Sequence, residues 1–361
     1  LRTRPPDEHP GVVGDRLASA RDRAPWHPPS SARRGARRRA APEDGGCREP
    51  GRRRCGTGTR DPDGVPRRPR SEDFGEVDRT EHFWFRSHLV QSLAASAAHS
   101  VFFPRPELER DMRALIGIDI TSHPERHTVV AEGVDLAIVD DALSRAVAVA
   151  AGARPEGPFA ELAALIDGLS PARRELPLLV TVGRMHRIKG MAALVGAWAG
   201  SDLADRANLL VVGGDLADPS SDERHQLDLI DAAVPAPERA ERGLVIAGHR
   251  SNDVAAAWLA AARFGIPGTI APGGAYVCAS VKEEFGLAIL EAMATGLVVV
   301  APDSGGPATY VDDGDTRRAE RSRTLVAERF TIQGMAATLT PMYLNVARHE
   351  AELRRTAGLL T

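Results

Sequence analysis

Two carboxylates and two cations carry the chemistry open to this chain. Glu283 and Glu291 stand eight positions apart, with Phe285-Gly286-Leu287 between them. Arg184 and Lys189 stand five apart, flanked by Gly183 and Gly190. An ionised carboxylate accepts two hydrogen bonds, which suits the paired hydroxyls of a ribose. An arginine and a lysine at this spacing can clamp a diphosphate from two sides, one through its planar fork and one as a point charge. Each pattern also has a plain alternative: an acidic turn ahead of an ordinary helix, and a basic surface loop. Cation usage sharpens the choice. Of the 46 basic residues 44 are arginine, and the two lysines, Lys189 and Lys282, both fall inside these motifs.

Such groups act together only if loops at one edge of a sheet bring them there. Short apolar runs, several of them β-branched, predict strands at 178–182, 208–214, 244–248, 275–280 and 297–300. Helical stretches lie between them: 191–198, then 221–234 capped by Ser220 or Ser221, then 253–263 capped by Asn252, then the helix that carries Glu291. Alternation of this kind gives an α/β fold, a Rossmann-like, doubly wound parallel sheet. Open sheets of that class bind ligands beyond the carboxyl ends of their strands. Both the Gly183 to Gly190 loop and the Glu283 loop fall there. Amides at the helix start around Phe285, Gly286 and Leu287 attract anions. Gly305-Gly306-Pro307 opens a further short helix, with proline suited to its first turn.

Upstream, the sequence predicts a helix at 85–98, a strand at 100–103, a helix at 107–116 and a strand at 128–135 that runs into a glycine turn. Residues 136–175 are alanine-rich and read as a helical linker between two domains. His82, His88 and His99 read as structural. Past residue 315 a charge run at 317–323 replaces an expected strand and helix, and a helix from 325 to 348 is expected to break near Thr340-Pro341.

Composition narrows the class. A chain of 361 residues, 43% hydrophobic, holds one large or two medium domains. A net charge of −3 gives no general pull toward nucleic acid or membrane. Cys47, Cys55 and Cys278 are too few and too scattered for a disulfide framework, as in a reducing cytoplasm. No apolar run approaches the ~20 residues of a membrane span, and the first residues lack a signal peptide's apolar core. A soluble cytoplasmic protein is expected, with no metal and no cofactor. Residues 1–80 are dense in Arg, Pro and Gly and show no periodicity, so they are expected to be disordered or non-native. The opening Leu1 points to a fragment. Five arginines within 31–40 form the alternative of a basic nucleic-acid arm, but acidic residues interleave nearby and no aromatic series accompanies them.

Taken together, Gly-Arg-x4-Lys-Gly, then Glu-Glu-Phe-Gly-Leu-x2-Leu-Glu-Ala-Met, then Gly-Gly-Pro resemble the retaining nucleotide-sugar glycosyltransferases with two Rossmann-like domains, the GT-B fold. Sucrose-phosphate synthase and its bacterial relatives, of the group 1 type, are the nearest in pattern. The resemblance places the donor domain at 176–323 and a carboxyl-terminal helix and tail at 324–361. It reads 81–135 as a remnant of the acceptor domain, with Glu132-Gly-Val-Asp135 as the turn after its last strand. It puts Glu283 at the transferred sugar as the catalytic carboxylate and Glu291 on the ribose. Arg184 and Lys189, with Gly183, fall on the phosphates. Gly248 and His249 lie beside the base, and Gly305 and Gly306 lend close backbone amides. The implied reaction is hexosyl transfer with retention from a UDP- or GDP-sugar to a sugar or sugar-phosphate acceptor. Two departures stand out: Glu284 occupies a position where the family more often has Gly or Pro, and most of the acceptor domain has no counterpart, including its histidine near the transferred sugar. The resemblance therefore also implies an impaired or inactive donor-binding protein as the alternative.

Overall fold

The computed structural model describes residues 79–311 and 319–358, all within one compact unit, Gly75–Thr361. Residues 1–78, expected to be disordered or non-native with a basic arm as the alternative, lie outside the described residues, as does the stretch 312–318 that includes the start of the charge run.

The described chain begins with helix α1 (Arg79–Ser96), strand β1 (Ser100–Phe102), helix α2 (Leu108–Ile116) and strand β2 (His127–Val129). The two strands pair in parallel as a sheet of their own. Helices α3 (Leu136–Ala150) and α4 (Pro158–Asp167) follow. The main βα series then runs β3 (Pro177–Val182), α5 (Met191–Ala199), α6 (Leu203–Arg206), β4 (Asn208–Val212), α7 (Ser221–Ala233), α8 (Arg239–Arg242), β5 (Leu244–Gly248), α9 (Asn252–Phe264), β6 (Ala271–Val277), α10 (Leu287–Ala294) and β7 (Val298–Val300). Helices α11 (Ala319–Arg329) and α12 (Ile332–Thr356) close it.

The five strands form one parallel sheet in the order β5-β4-β3-β6-β7. Their alternating residues explain the layering, because successive side chains of a strand point to opposite faces. Leu178, Val180, Leu210 and Val212 enter a core cluster shared with α3, α4, α9 and α10, while Leu179, Leu209 and Val211 enter a second cluster with α5 and α7. Each fully buried aliphatic side chain contributes roughly 1.5–3 kcal/mol, so burial on both faces holds the sheet between its two helical layers. From β3 the chain winds one way to β4 and β5, and β6 then returns to the other flank of β3. That reversal opens a crevice beyond the carboxyl ends of β3 and β6.

Two expectations change. Residues 136–175 do not merely join domains: Val139, Ala142, Ala146 and Val149 of α3 and Phe159, Leu162 and Ile166 of α4 are buried in the first cluster, against α9. The reason is apolar spacing at three and four residues, which gives each helix a buried face. The break near Thr340-Pro341 is also absent, because α12 runs through Pro341. A proline forfeits one intrahelical bond, and the turns on either side of it here keep theirs. The capping of α7 falls on Ser220, which forms a reciprocal capping box with Glu223. No helix among the described residues is long and apolar enough to cross a membrane.

Candidate donor-binding site

The loops after β3 and β6 meet at the crevice, and what joins them is the chain's sparse lysine. Lys189 Nζ lies 2.7 Å from Glu283 Oε2, across 94 positions of sequence. Ser280 Oγ donates to the same oxygen at 2.8 Å. The Cys278 thiol also donates to it at 3.8 Å, so Glu283 is nearly buried yet held by one charged and two neutral donors. The backbone fixes this pairing. His186 caps a single turn at Arg187–Lys189, and Gly190 ends it with φ +67°, a conformation that favours glycine. A Cβ at Gly190 would collide with the Ala279 carbonyl, and Val281 N donates to Ile188 O at 2.8 Å, so the two loops are sewn together.

Two cavities adjoin here. The first, of about 800 Å³, is lined by Gly183, Arg184, Gly213, Gly214, Gly248 and His249, with Arg250 at its margin. The second, of about 810 Å³, shares Gly183 and Arg184 and adds Lys189, Ser280, Glu283 and Glu132 among others. Arg184 therefore stands where the cavities meet, exposed and without an ion-pair partner among the described residues. Arg250 is committed elsewhere: its guanidinium pairs with Glu161 at 2.9 Å and lies 5.2 Å over the ring of the buried Trp258.

The helix start behaves partly as expected. Gly286 opens α10 with φ +97°, and Leu287 and Ala288 of the first turn line the second cavity. Phe285 also lines that cavity, but its ring is a core aromatic packed at tilted and edge-on angles among Phe103, Tyr310 and Phe330, and its carbonyl accepts from the Tyr310 hydroxyl at 2.5 Å.

Three sequence expectations land differently. Lys189 is engaged by Glu283 rather than standing open beside Arg184. Gly305 and Gly306 line neither cavity; they pack on the Glu283 and Glu284 backbone, where a Cβ on either would collide with a carbonyl, and Gly306 N donates to Glu283 O at 3.2 Å. Their smallness shapes the loop under Glu283. Glu291 also lines neither cavity. It is half-buried, and its carboxylate accepts from the side chain of Asn252, while Ser251 takes the capping position expected for Asn252. Burial pushes the Glu291 carboxyl up to about 7, with the Asn252 bond opposing that rise. Both carboxylates act on the buried Tyr276, whose hydroxyl is raised first by burial and then by nearby negative groups including Glu283 and Glu291. Among the described residues no cluster of three or more His, Cys, Asp or Glu is placed to hold a metal ion.

Residues 176–343 match the family model described as glycosyl transferases group 1. Over this stretch, which is under half of the chain, the sequence is similar to the group 1 glycosyl transferases. The chain is 29% identical over 176 residues to the sucrose synthase of Acidithiobacillus caldus, covering 45% of this chain and 21% of that protein. It is 33% identical over 162 residues to the sucrose synthase of Denitrovibrio acetiphilus, covering 41% and 19%. The matched stretch thus spans about a fifth of these relatives' length. Among solved structures, HepE of Anabaena in complex with UDP and glucose aligns over 75% of this chain and 68% of its own at 17% identity, with a TM-score of 0.48.

Within this stretch, sequence reasoning missed the neutral partners of both carboxylates. Ser280 carries no motif and Asn252 reads from sequence as a helix cap in the loop beside the base, although each stands just beyond the carboxyl end of a strand, where a polar residue facing inward is a usable signal. It also missed Tyr310, whose hydroxyl ties the helix start of α10 to the Gly306 turn.

Proposed function

We propose that this domain binds a nucleotide sugar across the two cavities and transfers the sugar with retention of anomeric configuration. The observation that carries the reading is the junction of the cavities at Gly183-Arg184, beyond the carboxyl ends of β3 and β6. A nucleoside diphosphate sugar is long and has its charge in the middle. Here the base side falls to the Gly248-His249 cavity, the diphosphate to Arg184 at the junction, and the sugar to the Glu283 cavity. Glu291 is assigned to the ribose, taking hydroxyl donors in place of Asn252. The relatives named sucrose synthase support a hexose as the transferred group.

Departure of the nucleoside diphosphate develops negative charge beside Arg184 and the first-turn amides of α10. Donors preset at that point contribute roughly 3–4 kcal/mol each to the barrier. As the phosphates arrive they compete with Glu283 for Lys189, whose ammonium can then serve the leaving group and free the Glu283 carboxylate to face the sugar. The reading assigns these groups the leaving charge and calls for no metal or cofactor.

A second reading, donor binding with little turnover, is favoured by the acceptor side. Apart from Phe103 and Glu132, the second cavity's lining comes from residues 181–289. Positioning an acceptor can supply roughly 7–11 kcal/mol, so a thin acceptor wall predicts slow transfer. The test has two parts. Calorimetry with UDP- and GDP-sugars should show binding that Glu291→Ala weakens by roughly 10–100-fold, the worth of a charge-assisted contact. Incubation with those donors and a panel of sugar and sugar-phosphate acceptors then separates the readings: multiple-turnover glycoside formation supports transfer, and slow donor hydrolysis alone supports the binding role. Equal donor affinity in wild type and Glu291→Ala overturns the ribose assignment.

A further inference from the structure

We propose that Glu132 is a sugar-contacting residue of the donor site, accepting hydrogen bonds from hydroxyls of the transferred sugar. This rests on the nucleotide-sugar reading of the cavities.

Three carboxylates line the second cavity: Glu132, Glu283 and Glu284. Glu283 is held by Lys189 and Ser280, and Glu284 by Lys282 at 2.7 Å. Glu132 alone of the three has no hydrogen bond or ion pair to another described residue. It is nevertheless half-withdrawn from water, and burial raises its carboxyl above the ordinary range, with Glu283 adding to the rise and Lys189 opposing it. A carboxylate in that position carries an uncompensated desolvation cost. A bound ligand that brings donors would remove it.

The residue is also fixed in place. Two positions on, Val134 N donates to Phe330 O at 2.8 Å and Ile332 N donates to Val134 O at 3.1 Å, so the segment is clamped between the end of α11 and the start of α12. Gly133 lies against the Thr331 backbone with no room for a Cβ. Glu132 therefore meets the cavity from a rigid support and not from a loose loop.

The ligand's chemistry follows by elimination. A carboxylate can only accept hydrogen bonds, and so can a diphosphate, which Glu132 would repel. The nucleobase falls to the other cavity. Of the parts of a nucleotide sugar, the hexose is the one that presents hydroxyl donors to this wall.

The experiment is calorimetry on the full chain with UDP-glucose and GDP-glucose beside UDP and GDP. Glu132→Ala should weaken whichever nucleotide sugar binds by roughly tenfold or more, the value of a hydrogen bond to a charged acceptor, and leave the matching diphosphate as tight or tighter. Glu132→Gln, which keeps an acceptor oxygen, should lose less. Matching circular dichroism melts for the three proteins establish that the variants are folded. Equal loss for sugar and diphosphate, or no loss for either, overturns the assignment of Glu132 while leaving the donor site standing. Failure of wild type to bind any of the four ligands overturns the donor reading itself, and this inference with it.

Discussion

Glu283 and Glu291 sit eight residues apart on one loop and helix, and the molecule treats them in opposite ways. Around Glu283 a buried carboxylate is met by an ammonium, a hydroxyl and, more distantly, a thiol. Around Glu291 a half-buried carboxylate is met by one neutral amide, and its proton affinity rises to about 7. The difference teaches that the first region stores a charge with its counter-charge, ready to exchange partners. The second stores a carboxyl whose charge is switched by pH near neutrality.

The sharpest way to break that contrast is to remove the counter-charge. Lys189→Met strands a nearly buried anion, so denaturant unfolding should show a loss of roughly 2–4 kcal/mol, a little under that for a fully buried pair. Adding Glu283→Gln to that variant should recover most of the loss. Recovery of nothing would mean that the lysine stem, and not the ion pair, supplies the stability.

The second region predicts a pH effect of the opposite kind. A carboxyl raised from 4.5 to about 7 in the folded state binds its proton more tightly there than in the unfolded chain. Its stabilising contribution is full below pH ~4.5 and is lost as pH climbs to ~7, by roughly 3 kcal/mol at most. Unfolding measured across pH 4 to 8 should show this slope in wild type, and Glu291→Gln should flatten it. If the slope persists in that variant, another group is responsible. Donor affinity, which needs the anion, should rise over the same interval.

The smallest expected effect refines the first region. Ser280→Ala deletes one neutral bond to Glu283 while the lysine remains, so unfolding should move by only about 1 kcal/mol. A loss as large as that of Lys189→Met would show that the hydroxyl, and not the ammonium, fixes the carboxylate.

The sheet was legible because its information is local. The β3, β4 and β5 strands are near-continuously apolar and flanked by glycine or charge, which assigns them two covered faces, while the equally apolar β7 lies at the sheet edge with Val298 and Val300 exposed. The positions of Arg184 and Glu283 at strand ends followed from the same pattern. The Lys189–Glu283 pair did not, since nothing in a single chain couples residues 94 apart before the order of β3 and β6 is known. The packing of Gly305 and Gly306 was illegible for a related reason. A glycine pair looks alike whether its backbone approaches a ligand or another loop, and here it approaches Glu283 and Glu284. The helices at 136–175 were undervalued because their alanine content masked the three-and-four spacing that runs from Val139 to Val149 and through Phe159, Leu162 and Ile166, and the face so formed packs on α9.

Arg250 resting on Trp258 gives the domain an optical property. The indole is wholly shielded from water, its Nε1 donates to Pro158 O at 2.8 Å, and a cation sits over its ring at the margin of the first cavity. Indole emission responds to nearby charge. A nucleotide that draws Arg250 from the ring would therefore change the colour of a buried lamp, and a spectrofluorimeter could follow the filling of the site without any label.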